Sequence, residues 1–261
     1  MVSSIIRLGA ATLLAAWLLL APAAALPGDT VTQFSTINAL LAGAYDGRLA
    51  CRDLLRHGNL GLGTFAGLDG EMVVLNGQVF QIKSDGKVYR PDLGLTTPFA
   101  AVVDFAPDKT LTAPPGLDFP GLEKLVDEAL PNQNLFGAIL LKGRFKNMKT
   151  RSVPAQQKPY PPLVEVAKQQ PVFHFADIAG TLVGFRAPKY TKDLTVPGYH
   201  LHFLSADGGA GGHVLAFTLE SVKLEVDSCH RFLLILPEND GAFGGLDLEQ
   251  DRSRELHQVE K

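Results

Sequence analysis

Three of the seven histidines lie in one stretch, GYHLHFLSADGGAGGHVLAF, at His200, His202 and His213. Residues i and i+2 of a strand project from one face, so His200 and His202 would present two imidazoles side by side. The glycine-rich segment from Ser205 to Gly212 can return the chain antiparallel and set His213 on the neighbouring strand. Three neutral imidazoles converging from a sheet make a metal site with coordination positions left for water or substrate. Zinc is the preferred ion, although imidazole also suits copper, nickel and iron. An isolated H-x-H pair would carry little weight, because two strand histidines on a wet face need no metal. The third histidine across the return gives the pattern its meaning. The glycines at 208, 209, 211 and 212 lack the flanking strand–loop–helix pattern of a phosphate cradle, and read as a tight return.

The elements around this constellation are mostly strands. Tyr199 to Leu204 and His213 to Leu219 flank the glycine loop, and Val222 to Asp227 alternates as a strand wet on one face does. Val172 to Phe185, Leu135 to Phe145, Phe99 to Phe105 and Phe232 to Leu236 are further strand candidates. Between Gly61 and Tyr89, the dipeptides Asp69-Gly70, Asn76-Gly77 and Asp85-Gly86 separate short apolar runs and predict an antiparallel meander. Helices are fewer. Thr36 or Ser35 can cap one through Ala44, and Cys51 to His57 can form another short one. Leu122, Leu125, Val126, Ala129 and Leu130 recur at helical spacing between Pro120 and the stop at Pro131. Lys149 to Leu163 is proline-rich and reads as an interdomain crossing, and the polar tail after Pro237 as a loose end. This is an α+β chain dominated by sheets.

The chain has 261 residues, 24 Lys+Arg against 27 Asp+Glu, and 46% hydrophobic residues. That balance excludes a basic nucleic-acid-binding module and an acidic disordered chain. Arg7, the apolar run from Leu8, and Ala23-Ala24-Ala25 have the parts of a secretory signal. Residues 1–25 are therefore expected to be removed, giving a protein secreted to the periplasm or the medium. After that segment no run is long enough to span a membrane, so no membrane partner is expected. Two cysteines, Cys51 and Cys229, can pair in an exported protein only if their geometry allows it.

Histidine pairs on sheets also occur in cupins and animal-type carbonic anhydrases. Cupins place a Glu shortly after the pair, where this chain has Phe203 to Asp207, and the glycine-rich loop is unlike the carbonic anhydrases. The sequence instead resembles the acetolactate decarboxylases from about Gln33 onward. QFSTINALLAGAYDG, GLGTFAGLDGEMVVLNG, KTRSVPAQQKPYPPLVEV, GTLVGF and VPGYHLHFLSADGGAGGHVL carry the resemblance. It implies a two-domain α+β fold with a sheet in each half, divided as residues 33–150 and 151–261 with the metal site in the second part. It implies zinc-dependent decarboxylation of 2-acetolactate to acetoin and carbon dioxide through an enediolate, in acetoin and butanediol metabolism. It also implies a homodimer whose only other partner is this small substrate. The zinc ligands would be His200, His202 and His213. The active-site residues would be Glu71 in LDGE, Arg151 in KTRSVP and Glu260 in HQVE, with Glu255 the other candidate in the tail; Thr64 in GLGT would line the site. Arg151 would hold the substrate carboxylate, Glu71 would handle the hydroxyl proton and Glu260 would deliver a proton. A metal-dependent lyase or hydrolase acting on another branched hydroxy-keto acid is the alternative on the same scaffold. His57, His174, His230 and His257 have no assigned role, although His257 lies close to Glu260 in sequence.

Overall fold

The computed structural model describes residues 29–238 and 241–260. The expected signal segment lies outside the described residues. The strands, in chain order, are β1 (Thr30–Phe34), β2 (Leu49–Ala50), β3 (Leu60–Thr64), β4 (Glu71–Leu75), β5 (Gln78–Ile82), β6 (Val88–Tyr89), β7 (Thr96–Thr97), β8 (Ala100–Val103), β9 (Lys109–Ala113), β10 (Phe136–Arg151), β11 (Val172–Ala187), β12 (Gly198–Ser205), β13 (Gly211–Cys229) and β14 (Arg231–Ile235). The helices are α1 (Ile37–Leu41), α2 (Cys51–Leu54), α3 (Phe119–Ala129), α4 (Leu163–Ala167), α5 (Gly241–Gly244) and α6 (Ser253–Glu260). The fold is α+β.

One sheet has seven strands in the order β14-β1-β8-β3-β4-β5-β6, and a second has five in the order β10-β11-β12-β13-β9. The second sheet also pairs β10 with β13, so β10, β11, β12 and β13 close a ring. The meander expected from the Asp-Gly and Asn-Gly turns is β3 to β6, with Asn76, Gly77 and Gly86 at the positive φ such turns require. α3 has the predicted stripe: Asp118 caps it by accepting from Gly121 N, and Leu122, Val126 and Ala129 are buried against the ring of strands.

The sheets do not divide at residue 150. β10 runs through the expected boundary and ends at Arg151, β9 joins the second sheet from the first half of the chain, and β14 returns to the first sheet from the second half. The physical reason is edge pairing. β14 adds parallel to β1, and β9 adds antiparallel to β13, so each sheet caps an edge of the other's sequence partner. Two further readings change. The strands expected at His213–Leu219 and Val222–Asp227 are a single strand, β13, and Lys109–Ala113, for which the sequence offered no strand, is β9. Cys51 and Cys229 are buried in separate packing clusters and form no disulfide with one another.

Candidate active site

β12 sets His200 and His202 on one face, and the register places His202 directly opposite His213 of β13. The next strand continues the row: Arg151, the last residue of β10, pairs with His213. Gly212 makes this close approach possible. Its φ is +130°, and a Cβ there would sit 2.4 Å from the Arg151 carbonyl oxygen, so a side chain would push β10 away from β13.

The three imidazoles converge. His200 Nε2 lies 3.2 Å from His202 Nε2 and 3.2 Å from His213 Nδ1. Nitrogens bound to one tetrahedral zinc at about 2.0–2.1 Å stand ~3.3 Å apart, so the spacing fits a shared ion. The tautomers fit as well. His202 Nδ1 donates to the Met72 carbonyl at 2.8 Å, which leaves a lone pair on Nε2. His213 hydrogen-bonds the main chain of Glu260 and turns Nδ1 toward His200. Lone pairs brought this close repel one another unless a cation lies between them. Burial and the nearby Arg151 guanidinium hold all three rings well below the usual histidine pKa, down to about 3 for His200, so they remain neutral ligands. This is the only His/Cys/Asp/Glu cluster with metal-ligand spacing among the described residues.

Glu71, Arg151 and Glu260 face the same cavity as the histidines. Glu71 opens β4 directly after Gly70, whose φ of +88° turns the chain into the strand. Its Oε1 accepts from Val153 N at 3.3 Å, and its Oε2 lies 3.6 Å from His202 Nε2. Thr64 is the cross-strand partner of Glu71 and donates its hydroxyl to the Gly70 carbonyl at 2.7 Å, bracing this corner of the site. Glu260 reaches the cluster from α6, with Oε2 at 3.7 Å from His213 Nε2 and 3.9 Å from His200 Nε2. Burial raises both carboxyls to about 7, although the Arg151 charge pulls the other way. Arg151 is 4% exposed, and its Nε has no hydrogen-bond partner among the described residues. A buried guanidinium with unspent donors beside three neutral imidazoles is a receptor for an anion.

The rest of the cavity wall is apolar: Ile37 and Leu40 from α1, Leu163 from α4, and Val259 from α6 join Leu68, Phe99 and Val153. A small ligand would thus meet charged or polar groups on one side and hydrocarbon on the other.

A family model described as alpha-acetolactate decarboxylase matches residues 31–250. The chain belongs to that family. Its sequence is 46% identical over 230 residues to the alpha-acetolactate decarboxylase of Methylococcus capsulatus, covering 88% of each chain. It is 46% identical over 233 residues to that of Methanosarcina mazei, covering 89% of this chain and 81% of the relative. The crystal structure of alpha-acetolactate decarboxylase from Bacillus subtilis strain 168 superposes with a TM-score of 0.86 at 36% identity, over 89% of this chain and 99% of that one.

The structure brings every acetolactate-decarboxylase residue expected from the sequence to one cavity: Thr64, Glu71, Arg151, His200, His202, His213 and Glu260. Glu255 is not among them. It pairs with Arg252 at 3.2 Å on the same helix, and His257 is exposed. His174 is exposed too. The sequence reading missed α6 and α4, and with them the apolar wall. The signal was present but short: Leu256 and Val259 are three apart in ELHQVE, and both pack on α1 and α4. The carbonyl of Met72 and the amide of Val153, which orient His202 and Glu71, are main-chain groups that no side-chain pattern reveals.

Proposed function

We propose that this chain decarboxylates 2-acetolactate to acetoin and carbon dioxide, with zinc held by His200, His202 and His213. One observation carries the reading: three convergent imidazoles, two buried carboxyls raised to about 7 and a buried guanidinium share one cavity. Zinc in this ligand set supplies Lewis acidity, which polarises carbonyl and hydroxyl oxygens and stabilises negative charge.

The substrate carries a carboxylate, a tertiary hydroxyl and a neighbouring ketone. Arg151 binds the carboxylate through its unspent donors, which orients the bond to be broken. Loss of carbon dioxide leaves an electron pair that the adjacent carbonyl accepts, giving an enediolate. As the carboxylate departs, its hold on the guanidinium is released, and the fixed positive charge acts on the enediolate oxygens instead. Glu71 takes the hydroxyl proton, since its Oε2 stands at the ligand side of the cavity, 3.6 Å from His202 Nε2. Glu260 delivers a proton to carbon and thereby fixes the face that is protonated, Glu71 returns the hydroxyl proton to oxygen, and solvent reprotonates Glu260, so one proton is taken up per turnover. A carboxyl poised near 7 can serve in either direction at neutral pH. The apolar wall keeps water from quenching the intermediate from other faces.

The test is direct. Purified, metal-loaded protein is given racemic acetolactate, and acetoin is measured with and without a chelator. Acetoin formation that a chelator stops and zinc restores supports the proposal. A metal-loaded sample that makes no acetoin beyond the spontaneous background defeats it, and turnover of another branched hydroxy-keto acid would put the related-substrate reading first. The same proposal includes export after cleavage at Ala25 and a homodimeric enzyme. N-terminal sequencing of protein from outside the cytoplasm and light scattering check these two points.

A further inference from the structure

A second, much smaller cavity is also lined by His200, whose contacts with the other two histidines run through Nε2. His200 and Phe99 line both cavities. The smaller one measures about 10 Å³, the room of roughly one water-sized sphere. Its lining is hydrocarbon apart from Gln33, Thr195 and His200.

Gln33 is fully buried on β1. Both carbonyls near its Nε2 are main-chain oxygens, of Ser35 at 2.8 Å and of Leu194 at 2.7 Å, so the amide orientation is fixed with its NH2 on that side. Its Oε1 therefore points elsewhere, buried and with no hydrogen-bond partner among the described residues. The Thr195 hydroxyl makes no side-chain hydrogen bond among the described residues, and neither does His200 Nδ1, because the ring's contacts all run through Nε2. Gln33, Thr195 and His200 are thus the residues with polar side chains lining a space of about one water, and a buried water needs two to four polar partners.

We propose that Gln33 is a positioning residue for the metal site: through one buried water shared with Thr195, it accepts the Nδ1 proton of His200. His202 and His213 have main-chain oxygens for their outer ring protons, and His200 would have this relay instead. Holding the proton on Nδ1 keeps the Nε2 lone pair on the ligand side and fixes the ring plane. This inference rests on the metal reading above.

The test uses the full-length mature enzyme loaded with Co2+ as a spectroscopic substitute for zinc. In the native protein, the paramagnetically shifted proton spectrum should contain three exchangeable imidazole N–H signals, one for each ligand. Thr195→Val keeps the shape of the cavity wall and removes one of the water's partners. Gln33→Met removes the acceptor, and its fold is checked by the melting temperature of the metal-free protein. In each folded variant, one of the three signals should broaden or vanish, and affinity in chelator competition should fall about 10-fold. Native metal affinity and three sharp N–H signals in folded Thr195→Val and Gln33→Met proteins would overturn the relay while leaving the metal reading intact. A native protein that binds no metal would overturn both.

Discussion

The two sides of the cavity are built differently. The histidine side is a strand platform. His202, His213 and Arg151 stand in one row across β12, β13 and β10, and each backbone is locked by ladder hydrogen bonds on both edges. The opposite side is the eight-residue helix α6, which has no ladder and places Glu260 at its last turn. α6 is held by Val259 and Leu256 packing on α1 and α4, and by the hydrogen bond between His213 and the Glu260 main chain. Asn38 of α1 adds weak anchors to the carbonyls of Leu248 and Gln250 just before it, at 3.4 Å each. A ladder fixes ligands to the tolerance that a metal demands. A short helix docked by packing holds its side chains less tightly than a ladder does. One site thus combines ladder-held histidines with a carboxyl carried on a short docked helix.

The largest effect should come from breaking the platform. His202→Ala removes a ligand and the hydrogen bond to the Met72 carbonyl together. Bound metal should be lost, and acetoin formation should fall by about 10³-fold or more, the several kcal/mol that a Lewis acid contributes. Metal analysis of the purified variant checks this, and full metal retention would remove His202 from the ligand set.

Glu260→Gln should separate the two sides. It leaves the platform and the helix in place and takes away only the ionisable carboxyl. Activity should drop roughly 10²–10⁴-fold, the usual range for an acid–base group, with metal content unchanged. Equal loss of activity from Glu255→Gln would contradict the geometry, because Glu255 is engaged with Arg252 instead. Val259→Ala should act on the same side, but more gently. It trims a side chain that is 4% exposed and lies in the cluster joining α6 to α1 and α4. Removing two methyls from that contact costs about 1–2 kcal/mol, so the docked fraction and the turnover should fall by up to ~10-fold. Chelator competition should change less than turnover does; an equal change would show that tail and platform are one unit.

The same contrast explains what the sequence made legible. The platform announces itself because strand periodicity converts directly into a shared face, and the glycine run between His202 and His213 announces the return. The hairpins of β3 to β6 were readable for a similar reason, since Asn76-Gly77 and Asp85-Gly86 state their turn conformation locally. β9 and β14 were not readable as partners of the other half's sheets, because an edge pairing depends on which backbone happens to be adjacent. α6 and α4 are too short to show a full apolar period, and α4 follows the prolines of the expected crossing. Glu260 could be placed from family resemblance, while its position beside His200 and His213 required the fold.

The prediction expected to touch turnover least, read in stability instead, tests whether burial alone, without the metal site, tunes charge on the platform. β13 carries His213 at one end and Asp227 near the other. Asp227 is 2% exposed, accepts from Ala106 N at 3.2 Å, and has Asp108 and Asp29 as charged neighbours. Burial first, and then those two carboxylates, raise its pKa to about 7 despite the Ala106 hydrogen bond. The folded state therefore holds its proton where the unfolded chain, with an ordinary value near 3.9, has released it. The stability this gives is fully present below about pH 4 and is lost as pH climbs through about 7. Asp227→Asn keeps an acceptor for Ala106 and cannot ionise. Urea midpoints measured from pH 4 to 8 should show the native protein weakening relative to Asp227→Asn as pH rises, with the gap levelling off above pH 7. Taking the difference between two proteins with the same histidines cancels the pH dependence of metal binding. A gap that stays constant across the range would mean that Asp227 is ionised throughout, and that its carboxylate is solvated despite its burial.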